Sequence, residues 1–241
     1  MIILLRAATA LLCALALPAA AGAEFGRVEL VQGVVTLISP KGRFVNPKIG
    51  TAVETGSEIV TAVGGELHVA TADGGYLAVR PDTQLRIDRY TANGGDGDEL
   101  HLSIAKGAVR MLGGWIARYS AARSRVQTPT ATVEARSTDH ETAFVAEAAP
   151  GQTRTDPPGS YEEVNEGSAS LRGDAGTVEV VLGKAGVIPL GRGAPYVLAT
   201  SPQALRGTRN EGAITKKRAA LAKAIDRKRA DRRAAVTRKK S

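Results

Sequence analysis

Apolar side chains recur at every second position along most of this chain, in short runs bounded by Gly, Asp, Asn and Pro. Leu67 and Val69 make one pair, Leu77 and Val79 a second, Leu85 and Ile87 a third. Asp73-Gly74-Gly75 separates the first two and Pro81-Asp82 the next, both tight-turn chemistries. Upstream, Val28 and Leu30 precede Gly33, and Val35 and Leu37 follow it. After the polar stretch from Asn93 to Asp98 come Leu100, Leu102 and Ile104, a break at Lys106-Gly107, then Val109 and Met111. Period-two pairing between turn residues predicts strands that each put one face into a core. The spacing points to an all-β fold, a β-sandwich or a short β-solenoid, with no helix before residue 205.

A Pro-rich loop at 148–160 separates this block, 24–147, from a second strand cluster at 161–204 that packs on it or extends it. In that cluster Leu171, the turn Gly173-Asp174-Ala175-Gly176, then Val178, Val180 and Leu182, and finally Gly186-Val187 echo the 67–87 arrangement. A weak internal repeat and the chance recurrence of a common hairpin both fit. From 205 to 241 the pattern changes: Ala, Lys and Arg dominate, and Gly and Pro vanish after residue 212. Propensity there favours helix. Ile214, Leu221 and Ile225 share a face, but Arg229 and Arg232 fall where it would continue, so the expectation is a solvated helix or a disordered arm with little to bury.

Charge divides the same way. Residues 205–241 hold fourteen Lys or Arg against three acids, whereas residues 24–204 hold seventeen basic and twenty-one acidic residues. The basic character therefore belongs to the tail alone. Ahead of both, Arg6, the apolar run Ala7 to Leu17 and the small residues Ala21, Gly22 and Ala23 have the layout of a secretory signal over 1–23, cleaved before Glu24. Cys13, the one cysteine, lies inside that run, so the remaining chain has no disulfide, thiol nucleophile or cysteine-held metal.

Candidate chemistry is sparse. His68 and His101 alternate with core apolars and are expected on the solvated face. Asp139-His140-Glu141, with Arg136, is the densest titratable cluster. Consecutive strand residues point to alternate faces, so a structural turn is favoured over a metal or ligand site unless a bulge intervenes. Asn93-Gly-Gly-Asp96-Gly-Asp98-Glu99 lacks the ligand spacing of a calcium loop and reads as a hairpin connection. No catalytic centre and no cofactor are expected, and an envelope hydrolase has the least support. In the tail, Lys216, Lys217, Arg218, Arg227, Lys228 and Arg229 are candidate polyanion contacts. Behind a secretory signal the polyanions at hand are phospholipid head groups, lipopolysaccharide phosphates and acidic envelope polymers rather than nucleic acid.

Several ordered segments resemble a known family. Gly65 to Tyr90, a strand, Asp73-Gly74, a strand, Pro81-Asp82 and a strand ending at Tyr90, is similar to the central signature of FecR-type domains. Gly56-Ser-Glu-Ile-Val-Thr61, Lys106-Gly107-Ala-Val-Arg110 and Val126-Gln-Thr128-Pro129 resemble further motifs of that family in order, so the likeness spans roughly 26–146. Where the family pattern has Arg-Gly-Thr, this chain has Arg136-Ser137-Thr138. The resemblance implies a periplasmic domain of the kind that relays iron-uptake signals from an outer-membrane transporter to a cytoplasmic sigma factor. This chain shows neither an internal span nor a cytoplasmic segment, so it is expected to be an exported binding or scaffold module for an envelope protein or glycan. A periplasmic signalling component of iron uptake is the alternative.

Overall fold

The structure, a computed structural model, describes residues 23–241 apart from 120, 152–154, 192 and 241; the secretory signal and Cys13 lie outside the described residues. Fifteen strands form one branched sheet, β1 (Glu24–Gln32), β2 (Val35–Ile38), β3 (Phe44–Val45), β4 (Ala52–Glu54), β5 (Glu58–Thr61), β6 (Glu66–Thr71), β7 (Tyr76–Val79), β8 (Gln84–Thr91), β9 (Glu99–Leu112), β10 (Ser124–Gln127), β11 (Thr132–Val145), β12 (Gly159–Gly173), β13 (Gly176–Val181), β14 (Ala185–Pro189) and β15 (Tyr196–Leu198). Two α-helices accompany them, a five-residue α1 (Trp115–Tyr119) and a thirty-residue α2 (Glu211–Lys240). The fold is all-β with a C-terminal helix, as the alternation predicts. The short α1 corrects the expectation of no helix before residue 205.

The pairing divides into two layers sharing one core. One layer runs β4-β1-β6-β7 and continues through the C-terminal half of β9 to β11, β12, β14 and β15. The other runs β3-β2-β5-β8 into the N-terminal half of β9, with β10 and β13 completing it. Among the described residues only β9 with β10 pairs in parallel, and the other ladders are antiparallel. Coils of a solenoid stack in parallel, so the structure selects the sandwich.

Three long strands pass from one layer to the other, and each bends where it changes partners. In β9 the change falls at Gly107, φ 86°, where a Cβ would lie 2.5 Å from Thr83 Cα. In β12 it falls at Gly167, φ 92°, between the β14 and β13 ladders. In β11 the register slips between Ser137, Asp139 and His140. Residue 137, where the FecR pattern has glycine, sits opposite Gly167, so the neighbouring strand supplies a left-handed residue at this bend.

Leu67, Val69, Leu77, Val79, Val109 and Met111 from one layer pack against Ile59, Leu85, Ile87, Leu102, Val126 and Leu171 from the other. Phe25 meets Tyr90 edge-on across the gap, ring centroids 4.9 Å apart. The cluster at 161–204 extends the sheet, with β12 pairing β11 from Gly159 to Arg172. β6–β7 and β12–β13 are both tight hairpins, but β8 leaves for the second layer whereas β14 returns to β12, so only the hairpins correspond.

Helix α2 lies on the outer face of the first layer. Ile214 is wholly buried against Tyr76, Ala78 and Leu112, and Ile225 joins the main core. This corrects the expectation of an arm with little to bury. Arg229 and Arg232 do not end the docked face: they donate to Gly94 O at 3.2 Å and Ala92 O at 2.9 Å, holding the loop after β8 while their stems cover it.

Candidate functional site

The densest polar constellation lies under the first turns of α2. Sheet register builds it: His68, Ala78, Arg110 and Glu141 stand in one row across four strands, and Ala70, Tyr76, Leu112 and Asp139 in the next. Strand alternation puts all eight on the face away from the core. Arg110 grips Asp139 with two bonds, Nε to Oδ1 at 2.9 Å and Nη2 to Oδ2 at 2.7 Å, and reaches Glu211 Oε2 at 2.6 Å. Arg80 pairs with Glu141 at 2.7 Å and Glu211 at 2.6 Å, and Arg218 approaches Asp139 at 3.3 Å. Glu211, in the first turn of α2, therefore closes a ring between two arginines, where the positive end of the helix also favours a carboxylate.

Beside the ring, Glu66 Oε1 lies 2.6 Å from His68 Nε2, and His68 Nδ1 lies 3.1 Å from the Tyr76 hydroxyl. Asn210 and Thr208, just ahead of α2, donate to the two Glu66 oxygens at 2.7 and 3.0 Å. Burial opposes ionisation of Glu66, but the bonds from His68, Asn210 and Thr208 outweigh it and hold the carboxyl below its ordinary range. Burial, with the charges of Glu29 and Glu66, raises the Tyr76 hydroxyl well past the ordinary tyrosine range. A carboxylate, an imidazole and a phenol in series could relay a proton. Here Lys217 covers the Tyr76 ring at 5.2 Å, and the trio links β6 and β7 to the segment just ahead of α2.

His68 is thus fully buried, which corrects its expected place on a solvated face. Its strand parity is as read, but α2 seals that face. His101 is partly exposed, 3.7 Å from Glu99. Asp139-His140-Glu141 forms part of strand β11 rather than a turn, a second correction, and all three side chains are buried. Asp139 and Glu141 face α2. His140 faces the core, where its Nδ1 lies 2.8 Å from Glu162, whose other oxygen accepts from Thr142 at 2.6 Å. Burial alone would lower the His140 imidazole, but the Glu162 carboxylate raises it above its ordinary value. The three do not converge, and Arg136 is exposed, opposite Ser168.

The 93–99 loop closes on Asp98, which accepts the amides of Asn93 and Gly94 and the Trp115 indole N–H, each at 2.7 Å. A carboxylate so engaged is committed to the connection. Among the described residues no three His, Cys, Asp or Glu side chains gather in a way that could hold a metal. The cleft nearest the ring, about 380 Å³, is lined by Arg80, Asp82, Lys106, Phe144, Arg206 and Thr208, with Lys106 and Asp82 paired at 2.6 Å.

The tail cations divide by helix face. Lys217 pairs with Glu29, Arg218 with Asp139, and Arg229 stacks on Tyr119 at 4.2 Å. Lys228 lays its stem over Gly74. Lys216 and Arg227 are exposed, and so are Lys223 and Arg238. Intervals of 7, 11 and 22 residues from Lys216 are close to whole turns, so these four line one outward stripe. No described helix is long and apolar enough to cross a membrane.

No curated protein matches the chain. Two crystal structures of a protein classed as an anti-sigma factor, from Parabacteroides distasonis, are similar to it at TM-scores of 0.44 and 0.45, with 13% and 14% identity. Each covers 61% of this chain, which in turn spans 61% of that protein's length. The family described as FecR protein matches residues 57–185, starting later than the 26–146 likeness and taking in the β12–β13 hairpin. That match covers more than half of the sequence, and the chain belongs to the FecR family.

Proposed function

We propose that this protein is an exported, non-catalytic binding module of the bacterial envelope, in which the β body engages an envelope protein or glycan and α2 attaches it to anionic surfaces. The observation that carries the reading is the division of cations on α2: the inward ones bind the body, while Lys216, Lys223, Arg227 and Arg238 line the outward face. A stripe of like charge on a docked helix has no role in packing, and it matches phosphate-rich polymers and head groups in charge. The titratable clusters are engaged in ion pairs and hydrogen bonds that join elements, which favours binding over catalysis. The test is retention of the full chain on lipopolysaccharide-coated beads at low and high salt, against Lys216→Glu/Lys223→Glu/Arg227→Glu. Retention that is salt-sensitive and lost in the variant supports the reading; equal retention contradicts it. Recovery of the protein from the cytosol with residues 1–23 intact would remove its envelope setting.

Membership of the FecR family favours a second reading, a periplasmic signalling component of iron uptake. Strand β15 is the outer edge of its layer and exposes Tyr196 and Val197, so a partner strand could add there. Crosslinking from a photoreactive residue at position 197 in intact cells, under iron limitation and iron excess, separates the two: capture of a transporter or membrane regulator only in one condition supports signalling.

A further inference from the structure

The lobe formed by β2, β3 and the turns around them has a composition unlike the rest of the body. From Gly33 to Ala52 there is no Asp or Glu, while Lys41, Arg43 and Lys48 are all present and exposed. Phe44 and Ile49 are each 76% exposed, and Val45 is exposed beside them. Single apolar residues at a surface are ordinary. Here the two most exposed, Phe44 and Ile49, lie within six residues of one another in a stretch that carries cations and no acids.

The segment is also held rigidly. Ser39 N donates to Arg43 O at 2.9 Å, Gly42 N to Ser39 O at 2.8 Å and Arg43 N to Ser39 Oγ at 3.1 Å, closing the turn before β3. Thr51 N donates to Lys48 O and Lys48 N to Thr51 Oγ1, both at 2.9 Å, and Gly50 N donates to Val28 O at 2.8 Å, tying the next turn to β1. Phe44 and Ile49 are therefore presented to solvent by bonded backbone, and burying them elsewhere would cost little ordering entropy.

We propose that this lobe is a membrane-contact surface that seats Phe44 and Ile49 in the head-group boundary of an anionic phospholipid leaflet, with Lys41, Arg43 and Lys48 on the lipid phosphates. Exposed apolar side chains flanked in sequence by exposed cations match such a boundary in both terms: the apolar part leaves water, and the charges meet the opposite sign. A second copy of the chain is a poorer occupant. A two-fold contact through the same patch sets Lys41, Arg43 and Lys48 of one copy against those of the other. The lobe does not depend on the α2 stripe, and the two are separable by experiment.

The test is co-sedimentation of the full chain with vesicles of phosphatidylcholine, alone or with phosphatidylglycerol. Binding is expected only with phosphatidylglycerol. Each cation removed should weaken it roughly fivefold, so Lys41→Ala/Arg43→Ala/Lys48→Ala should lose about a hundredfold. Phe44→Ser/Ile49→Ser should lose at least about tenfold, including at high salt where the charge contribution is screened. All five side chains are exposed, so an unchanged melting temperature verifies that the variants fold. Loss of binding only in Lys216→Glu/Lys223→Glu/Arg227→Glu would assign the membrane to the helix and overturn the proposal for the lobe. Lobe variants that bind like the parent overturn it too, as does a parent dimer that Phe44→Ser/Ile49→Ser converts to monomer without change in vesicle binding. Failure of every form to bind vesicles would end the lipid proposal while leaving attachment to polymers to its own assay.

Discussion

Arg110→Ala tests whether the ring under α2 holds the helix to the sheet. The guanidinium is 11% exposed and makes two bonds to a wholly buried Asp139 and one to Glu211, while Arg218 approaches Asp139 at 3.3 Å. Removing one partner of a buried pair typically costs about 3–5 kcal/mol, because the remaining charge stays desolvated. Because Asp139 keeps other partners, Arg218 among them, this case falls at the lower end, about 3 kcal/mol, a large part of the roughly 5–15 kcal/mol that stabilises an ordinary domain. For a chain of this size that is a fall of about 6–12 °C in melting temperature. Urea titration followed by circular dichroism measures it, with Arg27→Ala as reference: Arg27 pairs with Glu24 in the open, and its loss should cost less than about 1 kcal/mol. If desolvation is the cause, Arg110→Met/Asp139→Leu should recover most of the loss, since apolar groups of similar volume need no partner. An Arg110→Ala cost no larger than that of Arg27→Ala would refute the reasoning, because the ring would then behave as solvated surface charge.

Ile225→Ala removes a buried side chain from the joint between α2 and the core and should cost about 2–4 kcal/mol, expressed first as loosening of the helix. Trypsin should then cut within 211–240 faster than in the parent while the β body stays resistant; an unchanged cleavage rate would show that the helix does not depend on this contact. Acidification should act through Glu66, whose folded-state pKa is depressed: its contribution is fully present above the unfolded carboxylate value, near 4.5, and is lost as pH falls through the folded value. Glu66→Gln should therefore be less stable than the parent at neutral pH and show a flatter acid limb, and superimposable limbs would contradict the assignment.

The strands and their turns were legible because period-two alternation and Gly or Pro punctuation are local. Leu67 to Ile87 folds as that reading has it, and the Asp73 turn closes the β6–β7 hairpin. What lay hidden was the cover on the second face. His68, Arg80 and Arg110 alternate correctly, but whether their face meets water depends on residues 208–218, about a hundred or more positions away. Nothing in a strand's own pattern reports that. The Ile214, Leu221 and Ile225 stripe is visible in the sequence, but its reach is not, because Arg229 and Arg232 interrupt the apolar face there while in the fold they are long stems whose heads reach loop carbonyls. The three bends were legible only in part: Gly107 marked a break, whereas Gly167 and the Ser137 offset emerge from partner exchange between long strands.

Every strand beneath α2 precedes it in the chain, and the side chains of Glu66, Arg80, Arg110 and Asp139 owe their cover to residues 208–225. A chain stopped short of Glu211 would keep that side open, a visible mark of an unfinished molecule for any protease patrolling the same compartment.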